Sequence, residues 1–239
     1  MTNELISLAK QFHLSSLSSG KFASSFKDGE SCIIELLRAE AEAREKRRVA
    51  ERAKQARLPT YKGFKEFDTD FQKSITTEQL NTLEALEWVD GAFNLVMIGP
   101  PGTGKTHLAL AVGNKAVECG YKVFFASMDT MMHILKTREI SAKSASRVRW
   151  INQCDLVILD EVGYLPLSKT EANLFFSLVS QLYEATSLVI TSNKGFSGWA
   201  DLLGDSVLAT ALLDRLTHKC QVLNFEGEGW RIAHRENIF

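Results

Sequence analysis

The sequence holds no C-x-x-C pair: its four cysteines, Cys32, Cys119, Cys154 and Cys220, are scattered over 239 residues. That spacing excludes a disulfide framework and a zinc finger, and leaves core thiols in a reducing compartment as the plain reading. Excess charge of either sign is also missing, with 28 Lys plus Arg against 29 Asp plus Glu. A chain-wide polybasic surface for nucleic acid or membrane is therefore excluded, and any polyanion site must be local. No stretch approaches the roughly 18 apolar residues of a membrane span, and Met1 to Ser19 has no basic segment leading into an unbroken apolar run. The expectation is a cytoplasmic protein with no membrane partner. Internal repeats and low-complexity tracts are absent, while 45% hydrophobic and 24% charged residues suffice for a sizeable globular core.

What is present changes character near Pro59. Upstream, Leu5, Leu8, Ala9 and Phe12 recur at helical spacing, and a Ser-rich, Gly-containing stretch from Leu14 to Gly29 interrupts the pattern. From Ser31 onward strong helix formers dominate, with Glu40 and Arg44, and Glu42 and Lys46, four apart in the favourable order. The spacing predicts a long helix that ends at Leu58-Pro59, because proline disfavours helical geometry in the residue before it. Its second half, Arg44 to Arg57, carries seven basic residues against two acidic ones. Such a stripe suits either phosphate or partner binding, or simply a solvated face.

Downstream, Phe93 to Ile98, Lys122 to Ala126, Leu156 to Leu159 and Leu188 to Thr191 are short apolar runs without alternation. Runs of this kind are strands buried on both faces, and the helical lengths between them imply β-α-β crossovers. The expectation is an α/β fold: a three-layer parallel-sheet domain at 59–239 preceded by a small N-terminal helical domain at 1–58.

Chemistry concentrates at strand ends. Gly99-Pro100-Pro101-Gly102-Thr103-Gly104-Lys105-Thr106 matches G-x-x-x-x-G-K-[ST], directly after one strand and opening a helix. Glycines at 99, 102 and 104 let backbone N–H groups converge on phosphate, beside the positive end of the helix dipole. Lys105 would reach the β- and γ-phosphates and Thr106 would ligate Mg2+. The run Leu156 to Glu161 delivers two carboxylates, Asp160 for the metal and Glu161 to deprotonate an attacking water. Asp160 and Lys105 are expected on adjacent strand ends. A third strand ends in Thr191-Ser192-Asn193, where Asn193 could hold that water or merely stabilise a turn before Lys194-Gly195. Arg215, in Leu212 to Leu216, is either functional or a surface ion pair with Asp214 or Glu226.

These elements in this order resemble the AAA+ ATPases. More narrowly, the segments 99–109, Asp-Glu-Val-Gly-Tyr-Leu-Pro-Leu (160–167), Ile-Thr-Ser-Asn-Lys-Gly-Phe-Ser-Gly-Trp (190–199) and Leu-Ala-Thr-Ala-Leu-Leu-Asp-Arg-Leu (208–216) resemble the IstB-type helper ATPases of bacterial insertion sequences, relatives of the DnaC-type helicase loaders. The resemblance spans nearly the whole chain, to Gly227-Glu-Gly-Trp-Arg231. It implies ATP and Mg2+ as cofactors, with nucleotide held by residues 99–106 and the following His107. It also implies Asn193 as a sensor, Arg215 as an arginine finger supplied to a neighbour, and Arg231 as a second nucleotide-sensing arginine. Only 24 residues follow Arg215, which fits no full C-terminal lid. Implied partners are duplex DNA without sequence preference, the transposase of the same insertion sequence, and further copies of the chain in an ATP-dependent homo-oligomer. The implied setting is the bacterial cytoplasm, in association with DNA. For DNA the candidates are Lys143, Arg147 and Arg149, in a strip that also holds Lys136 and Arg138 and lacks a base-reading motif. A replicative helicase loader is the alternative that the ATPase core alone does not separate. A small-molecule kinase would need a second Gly-rich loop or an Arg-rich lid, and the sequence has neither.

Overall fold

The apolar runs beyond residue 90 become strands of one parallel sheet. In the computed structural model, which describes residues 7, 9–14, 19 and 29–233, they are β1 (Asn94–Ile98), β2 (Val123–Ser127), β3 (Leu156–Val162) and β4 (Ser187–Ser192). A fifth, β5 (Cys220–Asn224), completes the order β2-β3-β4-β1-β5. Every pairing is parallel. Leu95, Val96, Met97, Val157, Ile158, Leu159, Val189 and Ile190 are fully buried, as strands covered by helices on both faces must be. β5 is not marked by an apolar run: at the sheet edge only Leu223 of its five residues is buried, so the burial that writes a hydrophobic pattern into a central strand is lacking.

The helices follow the strands. α1 is Gly29–Ala56, α2 Thr77–Ala85 and α3 Glu87–Asp90; α4 (Lys105–Glu118) follows β1, and α5 (Met128–Thr137) and α6 (Ala142–Ile151) separate β2 from β3. α7 (Lys169–Leu182) precedes β4, α8 (Trp199–Leu203) and α9 (Ser206–Thr217) precede β5, and α10 (Trp230–Ala233) follows it. Their starts are chemically marked. Thr76 with Gln79 and Ser168 with Glu171 form capping boxes at α2 and α7, while Ser127, Ser141 and Asp205 cap α5, α6 and α9. Met128, Met131, Met132 and Leu135 of α5 recur at helical spacing and are buried, joining one core with Phe175, Leu178 and Val179 of α7 and Trp199 and Leu202 of α8. None of the described helices is long and apolar enough to cross a membrane.

Two compact units divide between Glu51 and Arg52, inside α1 rather than at its end. In the first, Glu40 is buried and accepts from Arg44 Nε at 2.9 Å, with Arg47 at 3.5 Å. Lys46 pairs with Glu42 at 2.5 Å and Arg48 with Glu45 at 3.7 Å, so much of the basic stripe is matched by carboxylates of its own helix. The second unit carries the sheet.

Strand order corrects one expectation. β4 lies between β1 and β3, so the strand ends bearing the Gly99 loop and Asp160 are not neighbours. The loop and the first turn of α4 carry Thr106 across the end of β4 to meet Asp160. Register along β3 and β4 also breaks there: Leu159 pairs with Ile190 and Val162 with Ser192, leaving Asp160 and Glu161 opposite Thr191 alone. This is a β-bulge, and such features re-aim side chains near functional sites.

Candidate active site

A cavity of about 980 Å³ opens at the C-terminal edge of the sheet, where open α/β sheets bind ligands. Its walls include Pro101 to His107, Asp160, Glu161 and Asn193, all residues named from the sequence. It also takes in Lys62, Phe67, Phe71, Gln72, Thr191 and Trp230, none of which the sequence alone marked as a cavity wall.

The glycine-rich loop takes its form from two close approaches. Gly99 has φ +155°, and a Cβ there would lie 2.3 Å from the carbonyl oxygen of Phe225, because the chain leaving β5 is tied back by Phe225 N–H to Ile98 O at 2.6 Å. Gly104 has φ +98° as the residue before α4, and its missing Cβ leaves room for the Phe67 ring. Lys105 is buried, and its ammonium donates to Gly99 O at 2.8 Å and Pro100 O at 2.7 Å. The cation is thereby held within the loop that would receive phosphate.

The opposite wall holds the carboxylates. Asp160 is buried, and its Oδ1 accepts from Thr106 Oγ1 at 2.9 Å and from Thr191 Oγ1 at 2.5 Å. Glu161 is exposed toward the cavity, with φ +62°. A left-handed non-glycine residue costs roughly 1–3 kcal/mol and persists only where neighbours impose it. Here the bulge imposes it, and the Glu161 N–H donates to Thr191 Oγ1 at 2.9 Å. Beyond β4 the turn is tied by Ser192, whose Oγ donates to Lys194 O at 2.9 Å and accepts from Lys194 N–H at 3.0 Å. The turn-stabilising role considered for Asn193 thus falls to Ser192, and Asn193 stands exposed on the cavity wall.

The remaining wall is aromatic and amide. Gln72 is buried; its Nε2 donates to Thr103 O at 2.9 Å and to Glu226 O at 3.2 Å, so it braces the loop against the chain after β5. Trp230 N–H donates to Gly102 O at 2.9 Å, and its ring meets Phe71 edge-on at 4.8 Å. His107 meets Phe67 edge-on at 5.6 Å, and its Nε2 is buried without a partner among the described residues. Burial pushes its pKa down, outweighing the backbone hydrogen bond at Gly63, which keeps the imidazole neutral at pH 7.

Four further sequence candidates, Arg215, Lys143, Arg147 and Arg149, lie elsewhere. Arg215, on α9, is not among the cavity walls. Its Nη1 donates to Ala211 O at 2.9 Å and its guanidinium stacks over Phe176 at 4.7 Å. Arg231 follows Trp230 on α10, and its side chain lies outside the described residues. On α6, Arg147 is half-buried, 5.5 Å from the Phe124 ring centroid and donating to Gln55 O at 3.5 Å. Lys143 and Arg149 are exposed. Lys136 is paired with Glu171 at 2.9 Å and Arg138 with Glu139 at 3.9 Å.

The arrangement fits a nucleoside triphosphate with a hard divalent cation. A positive-φ loop at a helix N-terminus suits phosphates, and the Thr106 hydroxyl beside the Asp160 carboxylate supplies the oxygen donors that Mg2+ prefers alongside phosphate oxygens. Comparison with known proteins agrees on the nucleotide. A family model described as IstB-like ATP binding protein matches residues 4–238. The insertion sequence IS21 ATP-binding protein of Pseudomonas aeruginosa is 41% identical over 199 residues, covering 83% of this chain and 75% of its own. Among solved structures, the replication initiator DnaA bound to AMPPCP and single-stranded DNA is similar with a TM-score of 0.56 at 19% identity, over 70% of this chain and 50% of that one. The DnaC helicase loader gives 0.53 at 20% identity, over 72% of this chain and 97% of that one. These structural likenesses establish the AAA+ fold.

Proposed function

This chain belongs to the IstB-like ATP-binding protein family, and from that premise we propose that it is the helper ATPase of an insertion-sequence transposase. In this reading ATP assembles copies of the chain on duplex DNA without sequence preference, the assembly engages the transposase, and hydrolysis releases it. The observation that carries the reading is the meeting of Thr106 and Asp160 at 2.9 Å on a cavity that Lys105, Glu161 and Asn193 also line.

Roles follow from chemistry. Residues 99–107 cradle the nucleotide, and Lys105 neutralises the β- and γ-phosphates. Thr106 and Asp160 would hold Mg2+, which would supply positive charge to offset that of the phosphates. Glu161 accepts the proton of the attacking water, and Asn193 orients that water. Arg215 acts on a neighbour's γ-phosphate. Lys143 and Arg149 meet DNA phosphates, and the helical segment 1–58 serves assembly and partner contact. Arg231 is assigned to nucleotide sensing on the resemblance alone.

The test uses purified components. With ATP, unrelated duplexes should be retained equally and the transposase of the same insertion sequence captured; with ADP, both should be lost. Capture of replicative helicase in place of transposase would replace this reading with that of a helicase loader.

A further inference from the structure

Thr191 sits where three parts of the site converge. It is 2% exposed, at the end of β4, opposite the bulge that contains both carboxylates. Its single hydroxyl is used twice: it donates to Asp160 Oδ1 at 2.5 Å and accepts the Glu161 N–H at 2.9 Å. The same Oδ1 also accepts from Thr106 Oγ1 at 2.9 Å. One oxygen atom thus links the carboxylate facing the cation site, the backbone of the residue assigned as base, and the strand whose tip bears Asn193.

We propose that Thr191 is a positioning residue for ATP hydrolysis: its hydroxyl fixes the Asp160 carboxylate and pins the bulged backbone that aims Glu161 into the cavity. The proposal rests on the assignment of Asp160 and Glu161 made above. Its physical basis is the bulge. In an unbroken parallel ladder the Glu161 N–H would bond a carbonyl of β4. Two residues against one leave it without that partner, and the Thr191 hydroxyl replaces the lost acceptor. A residue with φ +62° needs such a tether, since nothing intrinsic to a glutamate favours that conformation. Valine has the shape of threonine without the oxygen. In Thr191→Val the N–H is unsatisfied and the carboxylate keeps only Thr106, so both groups gain freedom in the direction that spoils attack geometry. Phosphate contacts come from the loop at 99–106 and are left intact.

Four proteins are compared: parent, Thr191→Val, Thr191→Ser and Glu161→Gln. Thr191→Val should bind a fluorescent non-hydrolysable ATP analogue within about three-fold of the parent but lose about 10- to 100-fold in kcat, the size expected for losing hydrogen bonds at a charged group. Thr191→Ser restores the hydroxyl and should recover most of kcat. Hydrogen–deuterium exchange reads the bond directly: the amide of Glu161 should be protected like its β3 neighbours in the parent and in Thr191→Ser, and exchange at least ten-fold faster in Thr191→Val. A purely structural role would instead lower the melting temperature and analogue binding together, with no recovery specific to serine. Parent-like kcat and exchange in Thr191→Val, with Glu161→Gln inactive, overturns the role of Thr191 alone. Normal hydrolysis by Glu161→Gln overturns the underlying assignment. If the valine variant fails to fold, rapid exchange of the Glu161 amide in the parent still refutes the proposal, and protection there supports it.

Discussion

Glu161 shows how one residue's conformation is decided by residues thirty positions away. Its carboxylate is exposed in the cavity although it belongs to a strand whose interior is otherwise buried, and the bulge opposite Thr191 is what turns it outward. Glu161→Gln keeps the shape and the backbone bond but removes the proton acceptor, so nucleotide should bind normally while turnover falls by at least 10², the usual contribution of a positioned base. Release of inorganic phosphate in single turnover, measured beside analogue binding, checks this; parent-like release would show that another group takes the proton. The sequence displayed Asp160 and Glu161 because a strand ending in two carboxylates is a local pattern. It did not display the bulge, Gln72 or the aromatic walls Phe67, Phe71 and Trp230, because each acts through a partner distant in sequence and no local spacing encodes that.

At the scale of elements, legibility tracked burial: β1 to β4 announced themselves by unbroken apolar runs, while edge strand β5 and the short helices α2 and α3 did not. The start of α7 shows how capping and charge combine. Ser168 Oγ bonds Glu171 Oε2 at 2.6 Å, and Lys136 of α5 pairs with the same carboxylate at 2.9 Å. The Ser168 hydroxyl first, then Lys136, pull the Glu171 carboxyl from 4.5 down to about 2. A depressed folded pKa means stabilisation that is complete above the unfolded value and is lost as pH falls through the folded one. Ser168→Ala should therefore cost about 1 kcal/mol at pH 7, and the difference from the parent should narrow between pH 4.5 and 2. Urea unfolding of both proteins at pH 7 and pH 3 measures it; an equal difference at both would mean that the hydroxyl caps the backbone without helping the charge. Helix α6 separates the basic candidates in the same physical way. Lys143 and Arg147 are four residues apart and share a face, whereas Arg149 stands about 200° round from Arg147 at 100° per residue. Arg147 is committed to Phe124 and Gln55, so Arg147→Ala should lower stability, by about 0.5–2 kcal/mol for the lost cation–π contact. Lys143→Glu and Arg149→Glu should instead weaken duplex binding and reduce its log-log salt slope by about 0.9 for each phosphate contact removed. Binding that is unchanged in both would move the DNA surface off α6, with the basic stripe Arg44 to Arg57 next to test.

At the scale of the whole molecule, the cavity of one chain is lined by the glycine-rich loop, Asp160 and Glu161, to which the proposed function gives the phosphates, the cation and the attacking water, but the arginine of the Leu212 to Leu216 segment is not on its walls. Arg215 is held on α9 by Ala211 O and the face of Phe176, and the proposed function gives its charge to a neighbouring copy. Such an arginine, delivered by a neighbour, is worth about 10³ to 10⁵ in rate in other nucleotide hydrolases. Arg215→Ala should bind ATP and barely hydrolyse it, while Lys105→Ala should fail to bind because it removes the cation proposed to neutralise the β- and γ-phosphates. Neither variant has a competent junction with itself. Mixed, they create one: the intact pocket of the Arg215 variant against the intact arginine of the Lys105 variant contains every catalytic group. ATPase activity should therefore rise on mixing, peak at an intermediate ratio, and scale with total protein concentration as assembly requires. Co-sedimentation of the two variants on duplex DNA establishes that they assemble together. If they do and no activity returns at any ratio, Arg215 serves its own subunit or the packing of α9 against α7, and catalysis at a shared junction is refuted.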